Sequence, residues 1–251
     1  MIDIHSHLLP GVDDGSTSVE ISLPVLERFA ADGVECLVLT PHLTATQAAT
    51  APYERNHAIF EELRSVAPRT LELRLGWEIM LDEPNVDLRS RTLSLGGSNA
   101  ILVEFPRLGV PMQAGDELQR IRGSGVVPVL AHPERYYGCT VARVEEWRRA
   151  GAVIQMDTAG LLGTGAISKL SRALVQQGLV DLFSSDNHGD SRSLVTARDW
   201  LLEVSTPEHA DLLTHTNARR LLDGAPLFAV PPLPGSGGIF GRLRELFTSR
   251  R

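Results

Sequence analysis

Cysteine is scarce in this chain: Cys36 and Cys139 are the only two among 251 residues. Neither has the partner spacing of a zinc site or of a C-x-x-C redox motif. Two isolated thiols suit a reducing cytoplasm. Lysine is scarcer still, with Lys169 as the only one. A Schiff-base enzyme would have to use that residue, and the surrounding pattern places it inside a helix. No apolar run approaches the ~20 residues of a membrane span, and no basic-then-apolar leader opens the sequence. Excess positive charge is missing as well: the net charge is −7, which disfavours a nucleic-acid partner whose phosphates need a basic face. No G-x-G-x-x-G follows the first strand pattern and no G-x-x-x-x-G-K-[ST] occurs, so nucleotide-binding folds lose ground.

What is present is an ordinary globular balance, 43% hydrophobic and 22% charged. A chain this long buries about three quarters of its unfolded surface, so it needs neither a disulfide nor a structural metal. Any metal would serve function. Short β-branched runs read as strands at Ile2–His5, Cys36–Thr40, Leu71–Trp77, Ala100–Glu104, Val126–Ala131, Ala152–Asp157 and Val180–Ser184. Helical spacing fills Ser18–Asp32, where Leu23, Leu26 and Phe29 share a face and Gly33 stops the helix. Tyr53–Val66, Gln113–Gly123, Val141–Ala150 and Ile167–Gln177 follow the same spacing, as do Arg192–Val204, Pro207–Leu213 and Thr216–Leu222. Strands alternating with helices predict an α/β fold of parallel βαβ units. About seven such units without a composition break point to one closed or nearly closed barrel over residues 1–224, with an open doubly wound sheet as the alternative. Residues 225–251 differ. They begin as a Pro/Gly linker and end in a short basic amphipathic tail carrying Ile239, Phe240, Leu243 and Phe247, either a frayed terminus or a contact for a partner or an anionic membrane surface.

The polar residues are placed unevenly. His5 and His7 stand two apart on the first strand, so both face the same way and can reach one ion. Alone the pair is weak. Yet the second strand runs into "TPH" (His42), the third into "GWE" (Glu78), the fourth into "VEFP" (Glu104), the fifth into "LAHPERY" (His132) and the seventh into "SSDNH" (Asp186 and His188). Strand six offers only Asp157. Five of the eight histidines fall at expected strand ends, the rim on which parallel barrels build their sites. His57, His209 and His215 lie on helices and read as structural or surface groups. Asp13–Asp14–Gly15 is by itself an ordinary turn. Each placement has a bland explanation, but those explanations would have to hold independently at every strand. A shared metal site is the simpler account. Imidazole with carboxylate and no thiolate suits Mn²⁺, Fe²⁺ or Zn²⁺. The ligands outnumber what one ion needs, so two or three ions are expected, an arrangement used to hydrolyse phosphoesters.

"DIHSH", "DDG", "TPH", "GWE", "VEFP", "AHPERY" and "SDNH", in this order, resemble the PHP (polymerase and histidinol phosphatase) superfamily. Within it the likeness is to the bacterial capsular-polysaccharide tyrosine phosphatases, and it covers roughly residues 1–224. It implies a distorted (β/α)7 barrel of PHP type and a trinuclear site, usually loaded with manganese. By matching motif, His5, His7, Glu78 and Asp186 would hold a first ion. Glu78 would bridge to a second ion held by Glu104 and His132, and His42, His188 and Asp14 would hold a third. Asp13 is the rival to Asp14. The reading "SSDNH" departs from the commoner "SDAH", with little effect expected.

The implied reaction is hydrolysis of phosphotyrosine monoesters in the cytoplasm by metal-activated water. Neither cysteine supports a thiol route, because the sixth residue after each is not arginine but His42 or Glu145. Arg135 is the candidate phosphate clamp, since a guanidinium matches two phosphoryl oxygens; the alternative for it is a salt bridge to Glu134 or another rim carboxylate. His42 and Asp186 join it as candidate catalytic residues. Tyrosine leaves as a phenolate of pKa about 10, so a strong general acid is less necessary. By resemblance the substrate would be the tail of a tyrosine kinase controlling capsule or exopolysaccharide synthesis. The rivals are a histidinol-phosphatase-like small-molecule phosphatase, a nuclease, and a non-catalytic regulator that binds the kinase.

Overall fold

The computed structural model describes residues 1–233, so the tail from 234 onward, with Ile239, Phe240, Leu243 and Phe247, lies outside the described residues. Nine parallel strands form two sheets. In the first, β1 (Ile2–Asp3) pairs with β2 (Cys36–Leu39), which pairs with β4 (Glu72–Leu75). The second runs β3 (His42–Thr44), β5 (Glu78–Met80), β6 (Ala100–Glu104), β7 (Val127–Ala131), β8 (Val153–Asp157) and β9 (Leu182–Ser184).

These nine strands make seven strand units, because β2 and β3 are one path broken at Thr40–Pro41, and β4 and β5 one path broken at Gly76–Trp77. Proline has no N–H for the ladder. Opposite it, Gly76 is pressed so close to Leu95 that an added Cβ would stand 2.9 Å from the leucine Cδ2. Hydrogen bonds still cross the break: Gly76 N–H donates to Leu39 (2.9 Å) and Glu78 N–H to Pro41 (3.1 Å). The sequence pattern puts His42 and Glu78 at strand ends. The structure corrects this: each opens a further three-residue strand, too short to show a period of its own.

The ring is drawn together where the last strand meets the first. Ser6 and Asn187 form a parallel bridge, His7 N–H donates to the Asn187 carbonyl (2.7 Å) and Asp186 N–H to the His5 carbonyl (3.0 Å). β1 itself stops at Asp3, so the segment through His7 is extended chain rather than the strand expected to His5. The result is a distorted (β/α)7 barrel.

Side chains alternate along the strands as a period of two requires. Cys36, Val38, Ala100, Leu102, Val129, Ala131 and Leu182 form one buried cluster, to which α8 (Asn217–Leu222) adds Ala218, Leu221 and Leu222. Ile101, Val103, Leu130, Ile154 and Phe183 face the other way. They pack beneath α3 (Ala114–Gly123), α4 (Val141–Arg149) and α5 (Ala166–Gln176), whose Leu118, Trp147 and Leu174 are fully buried. A third cluster joins Leu37, Leu39 and Leu73 to Phe29 of α1 (Val19–Ala31) and Phe60 of α2 (Tyr53–Val66). Truncating one such leucine costs about 2–5 kcal/mol. Between β5 and β6 there is no α-helix, only 3-10 turns. The C-terminal helices α6 (Val195–Val204) and α7 (Pro207–Asp211) lead through a single π-turn into α8.

Residues 225–233 do not leave the barrel. Asn217 brackets them, donating to the Phe228 carbonyl (3.0 Å) and accepting from its N–H (2.9 Å), and Val230 and Leu233 are buried. Among the described residues no helix is long and apolar enough to cross a membrane.

Candidate metal centre

Four ligand atoms meet at the rim between the first and last strands. His5 Nε2 lies 3.1 Å from His7 Nε2, and 3.3 Å from both Glu78 Oε2 and Asp186 Oδ1. His7 Nε2 stands 3.2 Å and 3.3 Å from the same two oxygens. Ligands about 2.1 Å from a common centre are separated by about 3.0 Å in an octahedron and about 3.4 Å in a tetrahedron. The spacing fits a first-row divalent ion.

The protonation pattern fits one too. His5 Nδ1 is 3.0 Å from Gln155 Oε1, and His7 Nδ1 is 2.8 Å from Asp13 Oδ2. Both acceptors call for N–H at Nδ1, which leaves a lone pair on each Nε2. Lone pairs of two imidazoles and two carboxylates then converge on one buried point. All four side chains are almost wholly inaccessible, so the repulsion has no solvent to relieve it, and a cation is the group that satisfies it.

A second set surrounds Glu78. Its Oε1 lies 2.8 Å from His132 Nε2, and its Oε2 lies 3.0 Å from His42 Nδ1, which stands 3.9 Å from Glu104 Oε1. The third set is the most open: His42 Nε2 is 3.3 Å, and His188 Nε2 3.6 Å, from Asp14 Oδ1, with His7 alongside. The nine residues expected as ligands are thus brought together, with Glu78 at the centre. Groups of mutually close atoms do not divide as the resemblance implies at every point, since His5 stands with Glu78 and His132, and His42 with Glu78 and Glu104.

The two aspartates of the opening turn separate cleanly. Asp13 faces His7 from behind and also accepts from the N–H groups of Gly15 (3.0 Å) and His42 (3.2 Å). Asp14 is the one that faces the cleft. Gly15 has no substitute here: a Cβ would lie 2.1 Å from the His7 carbonyl oxygen. Two of the candidate ligands also hold left-handed backbone, His132 at φ 34° and Asp186 at φ 49°, a conformation that costs non-glycine residues free energy and clusters at functional sites.

Charge is distributed unevenly. Burial opposes ionisation of Asp186, but in the metal-free protein the protons that its carboxylate neighbours draw onto His5 and His7, together with Arg135, outweigh it and hold its carboxyl well below the usual range; a bound cation would take the place of those protons. Burial and the neighbouring Glu78 carboxylate push Glu104 up to about 7. Burial lowers the His132 pKa, only partly offset by Glu78, and keeps this ring neutral as a ligand must be. Burial also pushes both thiols up to about 12, so neither Cys36 nor Cys139 offers a thiolate nucleophile near neutral pH.

The ligands open into a cleft of about 450 Å³, lined also by Leu43, Thr44, Gln47, Met80, Arg107 and Arg135. Arg135 Nη1 lies 2.7 Å from Asp186 Oδ2, and Nη2 pairs with Asp157. The salt-bridge alternative therefore describes part of its role, with these partners rather than Glu134. Arg192 also reaches Asp186 Oδ2 (3.1 Å). Sequence reasoning missed Gln155, Arg192 and Arg107. Gln155 was detectable as an amide inside a buried strand; nothing in the sequence singled out the two arginines. Lys169 sits on α5, and His57 and His215 are exposed on the surface.

Comparison with known proteins gives a consistent result. The family model described as "Capsular polysaccharide synthesis, CpsB/CapC" matches residues 1–223. The chain is 28% identical to the tyrosine-protein phosphatase YwqE of Bacillus subtilis over 93% of its own length and 96% of that protein. It is 30% identical to the tyrosine-protein phosphatase CpsB of Streptococcus pneumoniae, over 88% and 98%. A crystal structure from a study of YwqE and CpsB as metal-dependent tyrosine phosphatases superposes with TM-score 0.78 at 27% identity, covering 93% of this chain and 99% of that one.

Proposed function

As the chain belongs to the CpsB/CapC capsular polysaccharide synthesis family, we propose that it is a metal-dependent protein-tyrosine phosphatase. The observation that carries this reading is the convergence of nine imidazole and carboxylate groups at one rim, seven of them lining the cleft, with a half-buried arginine beside them and both thiols protonated.

We assign His5, His7 and Asp186 with Glu78 to one ion, Glu78, Glu104 and His132 to a second, and His42, His188 and Asp14 to a third, manganese being the preferred metal and Fe²⁺ or Zn²⁺ the alternatives. Ions held there would supply positive charge for the phosphoryl oxygens and lower the pKa of water toward neutrality. The protein's part is to prepare the cage and place the ester. Asp13 and Gln155 fix the tautomers of His7 and His5 before any ligand arrives. Arg135, immobilised by Asp157 and Asp186, presents the rest of its guanidinium to the cleft as the phosphoryl clamp. Leu43 and Met80 give the tyrosyl ring an apolar wall. The phenolate departs without needing a strong acid.

The substrate we propose is a phosphotyrosine-bearing protein, the tail of a cognate tyrosine kinase of capsule or exopolysaccharide synthesis, met in the cytoplasm. A panel of phosphotyrosyl peptide, histidinol phosphate and single-stranded oligonucleotide, each with and without added Mn²⁺, tests this. Manganese-dependent release of phosphate from the peptide is expected, and preference for either other substrate overturns it. Elemental analysis addresses the regulator reading, because a scaffold has no need of several ions per chain.

A further inference from the structure

A second cleft, of about 640 Å³, adjoins the catalytic one. The two share walls through consecutive residues. Met80 and Glu104 line the first cleft, while Leu81 and Phe105 line the second, and Leu81 N–H donates to the Glu104 carbonyl at 2.8 Å. The loop after β6 divides them. Its Arg107 belongs to the catalytic cleft and its Pro111 and Gln113 to the other. Leu108 and Met112 stand on that loop, 88% and 83% exposed, and Tyr137, 82% exposed, is tied to it by its N–H donating to the Arg107 carbonyl (2.8 Å). Among the described residues these are the three most exposed large apolar side chains. Their concentration on this loop and the segment tied to it marks a contact surface, with Leu108 and Tyr137 also bordering a third hollow.

The second cleft has a definite chemistry. Leu81, Phe105 and Pro111 give it apolar surface, and four carboxylates line it: Asp82, Glu83, Asp116 and Glu117. Its one cation, Arg120, is spent on Glu117, which it grips with Nε at 2.9 Å and Nη2 at 2.6 Å. Asp82 accepts from the Thr46 hydroxyl and N–H. Glu83 and Asp116 are exposed and have no cationic partner among the described residues. Apolar walls with surplus negative charge complement a long aliphatic side chain ending in a cation.

We propose that this cleft is a substrate subsite that takes a lysine or arginine a few residues from the phosphotyrosine, with Leu108, Met112 and Tyr137 packing on the peptide between. The proposal rests on the phosphatase reading for the identity of the neighbouring cleft, and it deepens that reading: the substrate class becomes phosphotyrosyl segments with a basic flank. Extended peptide advances about 3.3 Å per residue, so a short stretch crosses the dividing loop.

The test uses the manganese-loaded full chain and phosphotyrosyl peptides carrying lysine, alanine or glutamate at each flanking position in turn. kcat/KM is measured on each, with p-nitrophenyl phosphate as a substrate too small to reach the second cleft. Two partly exposed ion pairs predict a preference of about three- to ten-fold for lysine over glutamate peptides. The pair of substitutions Glu83→Lys and Asp116→Lys, both on exposed side chains, should invert that preference and leave p-nitrophenyl phosphate hydrolysis unchanged. Fluorescence anisotropy with the same peptides bearing a non-hydrolysable phosphonate reports binding independently of turnover. If no substrate is hydrolysed yet the lysine phosphonate peptides bind better and the double variant reverses this, the subsite stands and the phosphatase reading falls. Equal use of lysine and glutamate peptides, or a preference untouched by the double variant, overturns the subsite.

Discussion

Asp13 Oδ2 sits 2.8 Å from His7 Nδ1 while the adjacent Asp14 reaches past it toward His42 and His188. Neighbours in sequence are thus placed differently, Asp13 behind the His7 ring and Asp14 on the open side of the cluster. Replacing Asp13 by asparagine should weaken binding of the ion at His7 about 10- to 100-fold without changing how many ions bind at saturation. Asp14→Asn should instead remove the most exposed ion. Metal titration followed by elemental analysis of both variants checks this, and identical stoichiometry and affinity in the two would refute the division of roles.

Removing metal has two expected consequences. Turnover should vanish with a chelator while the barrel stays folded, because its core owes nothing to the cage. Adding Mn²⁺ back at about 100 times its Kd should stabilise the fold by about 2.7 kcal/mol per ion, or about 5 to 10 °C in Tm for a chain of this size. Calorimetry with and without the ion measures it; a Tm indifferent to manganese argues against a cage.

Glu134 makes stability depend on pH. Burial pushes its carboxyl up to about 8, only partly opposed by Arg135, whereas an unfolded glutamate titrates near its ordinary value of about 4.3. The folded state therefore holds the proton more tightly. That stabilisation is complete below the unfolded value and is lost as pH rises through about 8, at up to about 1.4 kcal/mol per pH unit. Asp3, raised to about 6 by burial, acts in the same sense lower down. The metal-free protein should lose Tm between pH 6 and 8.5, and Glu134→Gln should flatten the decline, keeping an acceptor for the Asp157 N–H. Parallel Tm curves for the two proteins would show that Glu134 does not titrate in this range.

Arg135, the proposed phosphoryl clamp, is also ion-paired to Asp157 and Asp186. Arg135→Ala should reduce kcat/KM about 10- to 100-fold, the loss of a charge-assisted contact, and should also lower stability by about 3 to 5 kcal/mol by stranding buried Asp157. Adding Asp157→Asn should restore much of the stability and none of the activity. Recovery of both together would mean that the arginine serves only the fold.

How much of this was legible in advance varies with the physics. Glu104, His132, Asp186 and His188 follow strands whose apolar runs announce them, so their place on the rim could be read directly. His42 and Glu78 open strands rather than close them, because β3 and β5 are too short for a period to show; Pro41 and Gly76 were the available signs of the breaks. Gln155 shows in sequence as an amide inside a buried strand, but only the closure of the ring, which sets His5 across from β8, reveals it as the partner of that histidine. Arg192 and Arg107 are two arginines among many, and their meaning comes from where long loops carry them. The division between Asp13 and Asp14 depends on a turn so tight that Gly15 touches His7, which no spacing rule specifies.

The joint between β9 and the segment after β1 couples residues some 180 positions apart. Such a distant pairing is slow to form, because the loop it closes is nearly the whole domain. His5 and His7 are made well before Asp186, so a growing polypeptide exposes half of the proposed clasp until β9 returns. Hydrolytic competence is thereby postponed to the completion of the ring, and a truncated translation product that ends short of β9 has no means of assembling the first ion's seat.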